Sequence, residues 1–242
     1  MTWSIVARDA SGALGVAVAS RFFAVGALCP HARAGVGALS TQALCNPLYA
    51  PAALEAMAAR VDPRDVVNRV VAEDPGRAHR QLHMIDAQGR VGAHTGSACI
   101  GWCAQRSGVD YSVAGNMLTD QRVIDETAAV YEASARLPFG ERLIAALAAG
   151  EAAGGDKRGK QAAALLVCTS EVYPALDLRV DDHEAPIDEL KRLYDKSLER
   201  FQPFVACLPR GADRTGVVDR AEIEHRIARF AAERARSARG VS

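Results

Sequence analysis

Aromatic residues are scarce in this 242-residue chain, at 5%, so a broad stacking pocket for nucleobases is not expected. No apolar run approaches the roughly 18 residues that a membrane-spanning helix needs. Arg8 and Asp9 fall where a signal peptide would carry its apolar stretch. A cytoplasmic protein starting at Met1 or Thr2 is therefore expected. Charge of one sign is also missing: 29 basic residues face 29 acidic ones. No overall field draws nucleic acid or an anionic membrane, and neither is expected as a partner. The six cysteines form no C-x-x-C pair and read as small buried apolar residues in a reducing compartment. Internal repeats and low-complexity linkers are absent.

What is present is a core-forming composition, 49% hydrophobic and 24% charged, long enough for one large domain with an appendage. Residues 2–8 and 14–19 are short β-prone runs around the turn signal Asp9-Ala10-Ser11-Gly12, which predicts a hairpin. Residues 34–42 read as a third strand and 51–60 as a helix. Asp62 and Pro63 supply an N-cap and a first-turn proline for a helix over 63–73, with Val66, Val67, Val70 and Val71 on one face. A second hairpin follows over 81–86 and 90–96, then a strand at 110–115 and helices at 120–135 and 138–150. Strands at 162–168 and 176–181 and helices at 187–201 and 219–238 complete the order. Sequential hairpins mean antiparallel pairing. Two sheet blocks and two helical pairs predict an α+β fold, a four-layer α-β-β-α sandwich. It is expected over 1–190, with a helical extension over 191–242.

One motif fails on inspection. Gly154 to Lys160 matches G-x-x-x-x-G-K, but Gln161 stands where a phosphate loop needs Ser or Thr for magnesium. The predicted helix also precedes the loop and the strand follows, the reverse of what phosphate cradling requires. Asp156 and Arg158 read instead as members of a substrate-facing loop or a solvated turn. Asp181, Asp182 and His183 carry metal-type donors, yet neighbours on a strand point to opposite faces. Ion pairing with Arg179 or Arg158 is expected there, and no metal or other cofactor. From residue 208 onward eight basic residues face five acidic ones. That reads as a solvated helix face or an oligomer contact.

Thr2 directly follows the initiator methionine, a context in which methionine is commonly trimmed. Trimming places a free α-amine, with a pKa of about 8, beside the threonine hydroxyl. That amine can accept the hydroxyl proton, the N-terminal-threonine form of nucleophile-plus-base catalysis. Because Thr2 opens a predicted strand, it is expected to be ordered.

Several long segments carry a family resemblance: TWSIVARD, GALGVAVASRFFAVG, PHARAGVGALSTQA, DPGRAHRQL, AHTG, GNML, GGDKRGKQAAALLV and DLRVDDHEAPIDEL. Over about residues 2–190 the chain resembles the domain-of-unknown-function 1028 family, which is placed with the N-terminal nucleophile (Ntn) hydrolases. The resemblance implies the four-layer sandwich, a hydrolase that cleaves an amide-like bond in a small molecule with Thr2 as nucleophile, and, since Ntn folds often associate through their helical layers, a homodimer. Proteasome-type members of the superfamily also carry an Asp-Ser-Arg-like run after strand two and a lysine near strand three. Here Ala19-Ser20-Arg21 occupies the run without its aspartate, and Arg33 lies near the expected lysine. An arginine does not shuttle protons, but it lowers an amine's pKa and steadies an oxyanion. An active enzyme here therefore leans on the α-amine.

The remaining candidates follow from position. Asn116, in Gly115-Asn116-Met117-Leu118, reads either as the N-cap of a helix or as an oxyanion donor. Arg21, His31 and Arg158 are candidates to recognise a substrate carboxylate. Gln42 follows the third strand, where many Ntn pockets open, and His94 ends a strand. His79, Arg80 and Gln81 read as surface at a strand entrance. The alternative to a hydrolase is a binding protein that kept the fold without the chemistry.

Overall fold

A computed structural model describes residues 2–239 of the chain. The predicted hairpin is β1 (Thr2–Arg8) and β2 (Leu14–Ser20). Asp9 fastens its turn by accepting from the backbone N–H of Ser11 and Ala13, and Gly12 takes the left-handed backbone there, at φ 88°. Then come β3 (Pro30–Arg33), β4 (Gly37–Ala43), α1 (Tyr49–Ala58) and α2 (Pro63–Ala72). The second hairpin is β5 (Arg80–Asp86) and β6 (Val91–Thr95), followed by β7 (Trp102–Gly108) and β8 (Tyr111–Leu118). Helices α3 (Arg122–Ala133) and α4 (Phe139–Ala152) precede β9 (Ala162–Cys168) and β10 (Leu176–Val180). The last elements are α5 (Pro186–Ser197), α6 (Phe201–Val205) and α7 (Arg220–Arg239).

Two antiparallel sheets result. One has the order β10-β9-β2-β1-β8-β7 and the other β3-β4-β5-β6. Helices α1 and α2 pack on β4, β5 and β6, whereas α3 and α4 pack on β1, β2, β7, β8 and β9. The sheets face each other through β1, β2 and β8 on one side and β4 and β5 on the other. This is the four-layer α-β-β-α sandwich. Strand β2 is buried along its whole length, and β1 up to its last residue. That explains their mostly apolar character, with Thr2, Ser4 and Ser20 as buried polar exceptions, since both faces lie inside.

Residue alternation sorts the layers. Leu39, Leu82 and Met84 join Val66, Val67, Val70 and Val71 beneath α1 and α2. Asp62 caps α2 by accepting from the N–H of Arg64, with Pro63 at the first turn, as the sequence predicts. Gly92 permits the close approach of β6 to α2, because a Cβ there would sit 2.2 Å from the Pro63 carbonyl oxygen. On the opposite faces Val6, Leu14, Val16, Ala38 and Ile85 form an apolar cluster between the sheets.

Two strands are not anticipated by the sequence. β3 has only four residues, and β7 is a largely exposed edge strand. Neither shows a hydrophobic alternation, because backbone pairing to β4 and β8 holds them. The expected helix N-cap at Asn116 is corrected: β8 runs through Leu118, and Asn116 pairs opposite Thr2 inside the sheet.

The chain divides into two compact units between Lys191 and Arg192, a divide that α5 spans. Within the second unit, Arg200 pairs with Glu224 and Arg226 with Glu222. No described helix is long and apolar enough to cross a membrane.

Candidate active site

Thr2 begins a central strand and is 6% exposed. Its cross-strand neighbours are Ser20 on β2 and Asn116 on β8. The Thr2 hydroxyl lies 3.1 Å from the Ser20 hydroxyl. Its carbonyl oxygen accepts from Asn116 Nδ2 at 3.3 Å and from Gln42 Nε2 at 3.5 Å.

The polarity of this region follows from Gln81, a fully buried side chain. Its amide touches the backbone carbonyls of Ala104 and Gly115, at 3.2 and 3.0 Å, and these can only accept. Nε2 must therefore face them, and Oε1 faces the other way. Gln42 and Asn116 both approach Oε1, at 2.7 and 3.2 Å, so each presents its NH₂ group. Gln42 Oε1 is then left to accept from the hydroxyls of Ser4 and Ser40.

The same logic fixes His83. The Ser4 proton goes to Gln42, so His83 Nε2, 2.8 Å away, must donate to Ser4 Oγ. Nδ1 then accepts from Ser112 Oγ, which itself accepts from Ser107. One glutamine between two carbonyls sets the direction of every bond in the chain. Burial of the imidazole pushes the His83 pKa down to about 3, so the ring stays neutral in its Nε2–H form.

Two cavities lie beside the cross-strand neighbours of Thr2, and Thr2 itself lines neither. The larger, about 360 Å³, is lined mainly by Phe22, Ala43, Leu44, Ile100 and Met117, with Asn116, His79 and Arg158 as polar members. The smaller, about 130 Å³, is lined by Trp3, Ser20, Glu151, Asp156 and Lys160 among others. Each cavity thus reaches a different cross-strand neighbour of Thr2. Ala43 (φ 67°) and Met117 (φ 51°) hold left-handed backbone without being glycine, and both line the larger cavity. Such strain clusters at functional sites because the surroundings must impose it.

The other expected site residues are distributed unevenly. Arg33 is not beside Thr2. It pairs opposite Gly37, five residues along β4 from Gln42 and so about 17 Å away at strand spacing. Its guanidinium donates to Glu55 and to the Leu54 carbonyl of α1. His94 is opposite Leu82 and so faces the α1/α2 layer, with Nε2 3.0 Å from the Arg77 carbonyl oxygen. His31 sits on β3 with Nε2 3.1 Å from the Leu28 carbonyl oxygen, lines neither cavity, and has its pKa lowered by burial.

Asp156 is engaged within its own loop. It accepts from the backbone N–H of Arg21 and Arg158 and pairs with the Arg158 guanidinium. The Arg21 guanidinium donates to the Arg158 carbonyl. These residues knit the 154–160 loop to the end of β2, and only Arg158 among them reaches the larger cavity. Asp181 pairs with Arg179, Asp182 accepts from Gln161, and His183 Nδ1 accepts from the Ala185 N–H. Among the described residues no group of three potential ligands converges to hold a metal.

Asn116 is repositioned as well as relocated. Both hydrogens of its amide are spent on Thr2 and Gln81, so it holds Thr2 in place rather than donating to an oxyanion. Sequence reading missed Ser4, His83 and Ser112 and misplaced Gln81 on the surface. The available signal was a polar residue at alternate inward positions of apolar strands, as in Gln81-x-His83. Cys29 and Cys45 are also brought together. The Cys29 thiol bonds to Cys45, which with nearby Arg80 lowers the Cys45 pKa to about 7, while Cys29 is raised.

Residues 2–190 match the model described as "Family of unknown function (DUF1028)". The crystal structure of protein SPO2555 from Silicibacter pomeroyi, of the same family model, is 33% identical with a TM-score of 0.83, covering 90% of this chain and 96% of that one. Anbu (ancestral beta-subunit) from Yersinia bercovieri is 13% identical with a TM-score of 0.37, covering 81% and 94%. An Anbu Gly-1 mutant from Hyphomicrobium sp. strain MC1 is 11% identical with a TM-score of 0.40, covering 82% and 95%. Comparison with curated proteins gives no match.

Proposed function

The chain belongs to the DUF1028 family of unknown function, and from that premise we propose an Ntn-type hydrolase that cleaves an amide-like bond in a small molecule. The observation that carries this reading is the setting of Thr2. It opens a central strand, its carbonyl is held by two side-chain amides, and its two cross-strand neighbours each line a cavity. A nucleophile needs to be fixed, which the two amides do, and since Thr2 itself lines neither cavity, substrate must reach it past Asn116 or Ser20.

After removal of Met1, the Thr2 α-amine takes the hydroxyl proton as Oγ1 attacks the amide carbon. The tetrahedral intermediate collapses when the leaving nitrogen receives that proton, leaving an ester on Thr2. Water, deprotonated by the same amine, then frees the acid and restores Thr2. Ser20, at 3.1 Å, orients the hydroxyl. With Arg33 on β3 bonded to α1 instead, the α-amine is the base that this scheme rests on.

One observation favours a binding protein instead: the described partner of the Thr2 hydroxyl is a neutral serine, not a cation or a carboxylate. The two readings separate on turnover of a panel of small amides by wild type and Thr2→Ala. The hydrolase reading expects turnover that vanishes in Thr2→Ala while thermal stability is kept. Equal turnover by both refutes Thr2 as nucleophile, and ligand-induced stabilisation with no turnover by either supports the binding protein.

A further inference from the structure

Of the polar residues that line the larger cavity, His79, Asn116 and Arg158, Asn116 presents an atom that the floor beneath it leaves open. Asn116 is 2% exposed, and both its N–H groups point inward to Thr2 and Gln81. No donor among the described residues bonds to its Oδ1. Because Asn116 lines the cavity, Oδ1 is the atom that it offers there. The amide cannot flip to offer nitrogen instead. That would turn Oδ1 against Gln81 Oε1 and the Thr2 carbonyl, setting acceptor against acceptor.

The rest of the lining narrows the occupant. No carboxylate lines the cavity, so nothing there attracts an ammonium group. Its arginine, Arg158, already pairs with the buried Asp156 through Nε and Nη2. A carboxylate ligand would have to compete with that pair or be met by the His79 imidazole alone. The hydrocarbon walls at Leu44, Ile100 and Met117 favour an apolar body. At about 360 Å³ the cavity is near the lower end of ligand sites.

We propose that the larger cavity takes a small, uncharged amide whose N–H donates to Asn116 Oδ1 and whose alkyl part lies against Leu44, Ile100 and Met117. This inference rests on the reading of this cavity as the substrate site and specifies the substrate class. A ligand without an N–H would leave Oδ1 buried and unpaired. Sites built around a polar contact reject such analogues strongly.

The test is a ligand-detected NMR titration of wild type and Thr2→Ala with N-methylbutyramide, N,N-dimethylbutyramide, butyrate and butylammonium. The expected result is that N-methylbutyramide binds at least tenfold more tightly than the other three, in both proteins. Leu44→Arg fills the mouth of the cavity from an exposed position and should abolish that binding. Equal binding of the two amides would overturn the role of Oδ1, and tightest binding of butyrate would overturn the uncharged class. Unchanged binding in Leu44→Arg, or no binding of any probe, would overturn the site itself. The discrimination is read without turnover. Its survival in an inactive protein would refute the hydrolase alone, and its absence from a Thr2-dependent enzyme would refute this inference alone.

Discussion

The two ends of the inter-sheet layer are built from the same strands and filled with opposite chemistry. At one end Val6, Leu14, Val16, Ala38 and Ile85 make an apolar cluster. At the other, the same inward faces of β1, β4 and β5 carry Thr2 and Ser4, Ser40 and Gln42, and Gln81 and His83. Apolar burial needs no partner, whereas each buried polar group costs free energy unless it is bonded. The polar end is tolerable because its bonds form one consistent chain, anchored at Gln81. It lies where Thr2 and the larger cavity are, which is why a costly arrangement there reads as a site rather than a core.

Breaking the polar end at its chemistry should give the largest effect. Thr2→Ala is expected to lower turnover by at least about 10³-fold while changing stability by no more than about 1 kcal/mol, the worth of one hydroxyl bond. Amide kinetics and urea unfolding on the same samples check both halves. Breaking it at its anchor should instead unfold it. Gln81→Leu strands the Gly115 and Ala104 carbonyls and two amides, at a cost of about 3 kcal/mol or more, read from the shift in urea midpoint. The apolar end offers the control: Val6→Ala should cost about 2 kcal/mol and leave turnover per folded molecule unchanged.

Acid separates the two ends more gently. His83 is held neutral, with its pKa lowered from 6.5 to about 3 by burial. Its contribution is complete above pH 6.5 and is lost as pH falls towards 3, because only the unfolded chain takes up the proton. The expected slope is about 1.4 kcal/mol per pH unit across that window. Asp74 is held below the usual carboxylate range by the Tyr49 hydroxyl first, then by the Gly76 N–H, Asn46 and Arg80. Its contribution is lost only below about pH 4. Urea midpoints at pH 6.5 and 5 should therefore differ more in wild type than in His83→Asn, and an equal difference would contradict the buried neutral imidazole. The smallest effect belongs to Arg33→Ala. Its ion pair with Glu55 is largely solvent-exposed, so stability should move by less than about 1 kcal/mol and turnover not at all.

The sequence was legible where one physical rule acts alone. Val66, Val67, Val70 and Val71 announce the buried face of α2, and Asp9 to Gly12 announce the first turn. Thr2 was legible as the opening residue of β1 because a β-prone run over 2–8 leads into the Asp9–Gly12 turn signal. The edge strands β3 and β7 were not, since backbone pairing leaves no mark on side-chain pattern. Arg33 was misjudged because proximity along a strand entrance says nothing about which end of the sheet it occupies. Gln81 and His83 were missed for the opposite reason. A buried polar residue looks like a surface one until its partners, distant in sequence, are in place.

The whole account turns on whether Thr2 carries a free α-amine. Intact-mass measurement and N-terminal sequencing of the untagged protein test this directly. The account predicts a chain that begins at Thr2. A chain that keeps Met1 throughout, and is nonetheless active on amides, would contradict it.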